Sequence, residues 1–118
     1  PDPEAEVGVV VSEEHRRRWT LFLDGDRANL RRIAAEAPAV DLLHYDSDKA
    51  RRGRRFALRR LAPLLADGAT LVFDDIDDNG HFRDLVESTG ASFFVVAAPG
   101  KWVGVIEGWD PAAAAGTA

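Results

Sequence analysis

Short apolar runs alternate along the chain with longer stretches in which apolar residues recur every three or four positions. Val7–Val11 is a β-branched run that reads as a strand, and Trp19–Leu23 reads as a second. Only the polar segment Ser12–Arg18 separates them. A parallel crossover needs about a dozen residues or more, so these two runs do not make a simple strand-helix-strand unit. From Asp26 the period becomes helical: Leu30, Ile33, Ala34 and Ala37 share one face, and Pro38 ends the run. Val40–Tyr45 is the next predicted strand. Ala50–Ala66 predicts an amphipathic helix with Phe56, Leu61, Leu64 and Leu65 inward, stopped by Asp67 and Gly68. Ala69–Phe73 predicts a strand, and Asn79–Thr89 a short helix that buries Phe82, Leu85 and Val86 and closes at Gly90.

The remainder breaks that alternation. Ser92–Ala98 and Lys101–Glu107 are strands joined only by Pro99 and Gly100, so they must run antiparallel. The expected architecture is α/β: a Rossmann-like parallel sheet with helices on its faces, finishing in a C-terminal antiparallel hairpin. Residues 1–6 read as an irregular lead-in, residues 7–109 as the folded domain and residues 110–118, rich in alanine, as a flexible tail.

Composition narrows this picture modestly. A chain of 118 residues suffices for one domain with one core. No apolar run approaches the roughly 20 residues that span a bilayer. Cysteine is absent, which excludes disulfides and thiolate metal sites. These features fit a cytoplasmic protein with no membrane association. The formal net charge of -5 argues against a nucleic-acid partner. The arginines between Arg51 and Arg60 fit the outer face of the predicted helix and are expected to be solvated. His81 is expected at a solvated helix start, and His44 to pack within its strand.

In open parallel sheets, ligands bind outside the carboxyl ends of the strands. Those ends are acidic here. Asp24 and Asp26 follow the Trp19 run, Asp46, Asp48 and Lys49 follow the Val40 strand, and Asp74 and Asp75 follow the Ala69 strand. Neighbouring strands lie about 4.8 Å apart, so carboxylates at adjacent ends crowd together. Such crowding is unfavourable unless a cation or protons sit among them, and hard oxygen donors suit Mg²⁺ or a similar divalent ion. Asp24, Asp67, Asp77 and Asp78 are explained well enough as turn or capping residues.

The segment Asp41–Lys49, DLLHYDSDK, resembles the D-x-D-K run at the fourth strand of cation-dependent O-methyltransferases of the catechol and caffeoyl-coenzyme A type. Leu64–Asp75, LLADGATLVFDD, is similar to the LxxGGxxxxDN of that family and to the double aspartate of the sugar and macrolide O-methyltransferases. The closing hairpin is similar to the last two strands of class I S-adenosylmethionine-dependent methyltransferases. The resemblance runs from about Trp19 to Glu107.

It implies Asp46 and Asp74 as metal ligands. Asp75 stands as a third, where the catechol-type enzymes have asparagine. Lys49 falls where the general base on the acceptor hydroxyl stands, and Asp46 beside it shares the catalytic and cofactor-facing position. Asp26 falls where an acid contacts the cofactor's adenine. The implied partner is a small hydroxylated acceptor, methylated with metal assistance, and a homo-oligomer is possible. The physical logic agrees: the oxygen nucleophile must be deprotonated or nearly so, and a divalent ion lowers the pKa of a bound hydroxyl.

The glycine-rich loop after the family's first strand has no counterpart here. The expectation is therefore either the carboxyl-terminal portion of such a domain or a domain that has lost cofactor binding. Two readings of other classes remain. One is a haloacid dehalogenase-like phosphatase with Asp24 as nucleophile in Leu21-Phe-Leu-Asp24-Gly-Asp26, although Ala28 stands where that family has threonine. The other is a non-catalytic methyltransferase-like module.

Overall fold

The computed structural model describes residues 7–114; the predicted lead-in and the end of the predicted tail lie outside them. Four strands, β1 (Val40–Tyr45), β2 (Leu65–Phe73), β3 (Ser92–Ala98) and β4 (Lys101–Glu107), form one sheet in the order β1-β2-β4-β3. β1 and β2 pair in parallel, with Leu43 opposite Leu71 and Tyr45 opposite Phe73. The other two pairings are antiparallel, so the sheet is the expected α/β one, a parallel pair finished by an antiparallel hairpin. The β3–β4 hairpin has the predicted bounds and turns at Gly100, whose φ of 75° only glycine adopts without strain.

The helices are α1 (Glu13–Arg16), α2 (Asp26–Glu36), α3 (Arg51–Leu61), α4 (His81–Thr89) and α5 (Pro111–Ala114). Short 3₁₀ turns occupy Ala62–Leu64 and Ile76–Asp78. The predicted helix over Ala50–Ala66 ends early because Pro63 has no N–H to continue it. β2 therefore begins at Leu65, four residues before the predicted start. The surplus is taken up by a register shift, Val40 pairing with Leu65 but Leu42 with Thr70. Gly68, at φ 83°, donates to the Trp109 carbonyl at 2.8 Å, and the Trp109 N–H returns to the Ala69 carbonyl at 3.0 Å. The chain after β4 is thus hooked back onto β2.

The two strands predicted at the front are not formed. Val7–Val11 is a turn, with Gly8 at φ 68° and the Val11 N–H on the Gly8 carbonyl at 2.8 Å. The Arg16 guanidinium takes the carbonyls of Val11 and Gly8 at 3.0 and 2.8 Å, acceptors a neighbouring strand would need. In the second run, Asn29 captures the Phe22 carbonyl at 3.1 Å and the Asp24 N–H at 3.0 Å. Local side-chain bonds to the backbone displaced the ladder that β-branched residues favour.

Leu71 and Phe73 of β2, Ile106 of β4 and Tyr45 of β1 are buried in one cluster with Ala57 of α3 and Phe82, Leu85 and Val86 of α4. The Phe73 ring lies 6.2 Å from Tyr45 and 5.8 Å from Phe82. Gly104 makes this packing possible, since a Cβ there would stand 2.5 Å from Phe82 Cε1. On the other face of the sheet Leu42, His44, Phe94 and Val96 are exposed, so the packing expected of His44 is not seen.

Candidate functional site

Because Tyr45 and Phe73 are register partners on parallel strands, the next residues of each, Asp46 and Asp74, emerge side by side. The Asp74 N–H donates to the Tyr45 carbonyl at 3.1 Å, tying the two strand ends together. Asp75 then turns the chain in a left-handed conformation, φ 50° and ψ 52°, which aspartate tolerates better than most residues. Asp46, Asp74 and Asp75 each present one oxygen within 4.8 Å of the others. Three of the acids singled out in the sequence are thereby brought into one cluster.

Two ammonium groups enter it. Lys49 Nζ pairs with Asp46 and lies 3.8 Å from Asp74 and 3.5 Å from Asp75. Lys101 Nζ approaches Asp74 at 2.9 and 3.1 Å. The hydrogen bond from Lys101 holds the Asp74 carboxyl below its ordinary range, and the same bond raises Lys101. Sequence reasoning missed Lys101. The signal was the hairpin itself, since laying β4 against β2 carries the start of β4 past the end of β2.

Asp26, the first residue of α2, accepts a hydrogen bond from Ser47 and so stands at the same edge as Asp46. Tyr45 donates to the Asp48 carbonyl at 2.8 Å, and burial with the charges of Asp26 and Asp48 pushes its hydroxyl up to about 12. Asp24 lies apart, exposed and paired with Arg32 at 3.1 Å, and no strand precedes it to present it as a nucleophile.

Arg54 was expected on a solvated face and is buried instead. Its guanidinium donates to the carbonyls of Lys49 at 3.0 Å, Asp74 at 2.7 Å and Asp75 at 3.0 Å, clamping the loops after β1 and β2 to each other. Its spacing to Ala57 and Leu61 places it on the buried stripe of α3, a signal the charge pattern concealed. His81 is likewise buried rather than solvated. Desolvation first, then the charges of Arg54, Arg51 and Arg55, lower its pKa to about 4.

A model of a methyltransferase-domain family matches residues 1–76. The chain belongs to this family. No curated protein matches significantly. A solved structure from Klebsiella pneumoniae, described provisionally as an O-methyltransferase, superposes with a TM-score of 0.56 at 20% identity over 80% of this chain. That likeness speaks to the fold, and the methyltransferase chain here spans half the length of the solved one. The methyltransferase match and the exposed, arginine-bound Asp24 together leave the phosphatase reading without a footing.

Proposed function

We propose that this chain supplies the acceptor side of an S-adenosylmethionine-dependent methyltransferase that methylates a hydroxyl of a small molecule with the help of a divalent cation. The observation that carries the reading is the convergence of Asp46, Asp74 and Asp75 within 4.8 Å at the carboxyl ends of β1 and β2, with Lys49 among them. Three carboxylate oxygens at that spacing are a suitable donor set for a hard ion such as Mg²⁺, which fills the rest of its shell with water or substrate. A cation held there would favour the deprotonated form of a bound hydroxyl and orient it. Asp46, Asp74 and Asp75 would hold the ion, and their engagement would release Lys49 to take the acceptor's proton. S-adenosylmethionine would supply the methyl group. Asp26, fixed by Ser47 beside Asp46, would hold the adenine end of the cofactor.

In the protein that carries this chain, Lys49→Ala should lower kcat by about 10²-fold while leaving cofactor affinity nearly unchanged. Asp26→Ala should weaken the cofactor first. The measurement is methyl transfer from labelled S-adenosylmethionine to a panel of hydroxylated acceptors, with and without chelator. Transfer that survives both chelator and Lys49→Ala would overturn the mechanism.

A second reading follows from Lys101. With two ammonium groups against three carboxylates, the cluster could be a closed ionic lock that holds the strand ends and binds no ion. Titration calorimetry on Lys101→Met separates the two. Removing a competing cation should tighten Mg²⁺ binding in the first case, with the heat lost in Asp74→Ala. In the second there is no heat in either variant, only lower stability.

A further inference from the structure

A cleft of about 510 Å³ lies between α3 and α4, lined also by Trp109 and by Pro111 and Ala114 of α5, and it shares no residue with the acidic cluster. Its walls are of two kinds. Leu58, Leu85 and the Trp109 ring make an apolar floor, and Arg55 and Arg59 stand at the rim. Neither arginine has an ion-pair partner among the described residues. The acid in the lining, Asp84, is already taken by Arg51.

Two polar atoms in the lining residues are left unsatisfied. Trp109 is 1% exposed and its Nε1–H donates to nothing, and His81 is 5% exposed with Nδ1 unpartnered. An indole N–H can only donate, and a buried donor without an acceptor is costly and uncommon. A cleft with unpaired guanidiniums at its mouth, its one lining acid already taken by Arg51, lacks a counter-charge. Its floor rejects a bare, strongly hydrated ion, because filling it means displacing water from apolar surface.

We propose that this cleft binds an amphipathic organic anion, a small molecule carrying one carboxylate or phosphate on an apolar body, with the anionic group between Arg55 and Arg59 and the body over Leu58, Leu85 and Trp109. The occupant supplies the negative charge that Arg55 and Arg59 lack. This site is separate from the acceptor hydroxyl and the acidic cluster, so it stands or falls independently of the proposed reaction.

His81 provides a local reporter. Burial holds its imidazole neutral first of all, and the net positive surrounding of Arg54, Arg51 and Arg55 from α3, set against Asp84 from its own helix, adds to that. An anion in the cleft offsets that charge and should raise the titration midpoint of His81, while His15 and His44, exposed elsewhere, serve as references in the same spectrum.

The test is histidine-detected NMR on the 118-residue chain titrated with 2-naphthoate, naphthyl phosphate, the uncharged 2-naphthalenemethanol and inorganic phosphate. The expected result is saturable binding of the two naphthyl anions, an upward move of the His81 midpoint, and at least tenfold weaker binding of the alcohol and of inorganic phosphate. The double variant Arg55→Gln with Arg59→Gln, both on the exposed side of α3, should lose the naphthyl anions by tenfold or more with an unchanged melting curve. Equal binding of the alcohol would reduce the cleft to a hydrophobic crevice. Equal binding of inorganic phosphate would reduce it to a basic patch. Either result, or undiminished binding by the double variant, overturns the proposal.

Discussion

A neutral imidazole buried beside three guanidiniums couples the stability of the chain to pH. His81 titrates near 4 when folded, against about 6.5 in an unfolded chain. Between those values the unfolded state binds the extra proton, so the contribution of His81 is fully present above about pH 6.5 and fades as pH falls toward 4. The loss should be on the order of 2–3 kcal/mol. Denaturant unfolding at pH 7 and pH 4.5 should show it, and His81→Gln should be less sensitive over the same interval. An equal pH dependence in that variant would place the titrating group elsewhere. Asp46, Asp74 and Asp75 could be read from the sequence because each follows a strand whose apolar pattern is plain, and parallel neighbours bring their ends together. Arg54 and His81 were harder: for Arg54 the spacing to Ala57 and Leu61 was the signal and charge hid it, and for both only the tertiary contacts show the backbone carbonyls and aromatic rings that surround them.

At the scale of elements, the hairpin was legible down to its end residues because a two-residue link leaves only one way to pair. Its position against β2 was not, since α4 intervenes in the chain and no short link fixes the pairing. Gly104 lets α4 pack closely on β4. Gly104→Ala would push a methyl group into the Phe82 ring, at a contact of 2.5 Å, and overpacking of this kind costs about 1–3 kcal/mol. The denaturant midpoint should fall accordingly. Gly104→Ala together with Phe82→Leu should recover part of the loss, and no recovery would mean that β4 rather than the ring is strained. The strands predicted over Val7–Val11 and Trp19–Leu23 failed for a nearby reason. Their apolar residues satisfy a strand pattern, yet Arg16 and Asn29 sit within a few residues and bind the carbonyls a sheet would use.

For the molecule as a whole, one side of the sheet is well covered and the other is not. The radius of gyration is 15.0 Å, above the about 13.5 Å of a compact chain of this length. On the uncovered face Leu42 of β1 is 63% exposed, and at the opposite edge Phe94 and Val96 of β3 are each 45% exposed. An uncharged edge strand with apolar residues on both sides invites pairing with another chain. The isolated 118-residue chain should therefore associate as concentration rises, and Phe94→Ser with Val96→Lys should suppress it. Sedimentation velocity over a hundredfold range of concentration measures this, and a parent chain that stays monomeric throughout would remove the expectation. Among the described residues no helix is long and apolar enough to cross a membrane.

Lys49 and Lys101 are the only lysines in the chain, and both point into the acidic cluster. Reagents that acylate or reductively methylate amines therefore reach side chains only in this region, the α-amino group being their other target. Both side chains are open to reagent, Lys101 at 42% and Lys49 at 28% exposed, and the ion pair with Asp74 that raises Lys101 slows its reaction until the pair is broken. The two lysine-bearing peptides, read separately by mass after digestion, then become a direct gauge of what occupies the ends of β1 and β2, readable without any substrate.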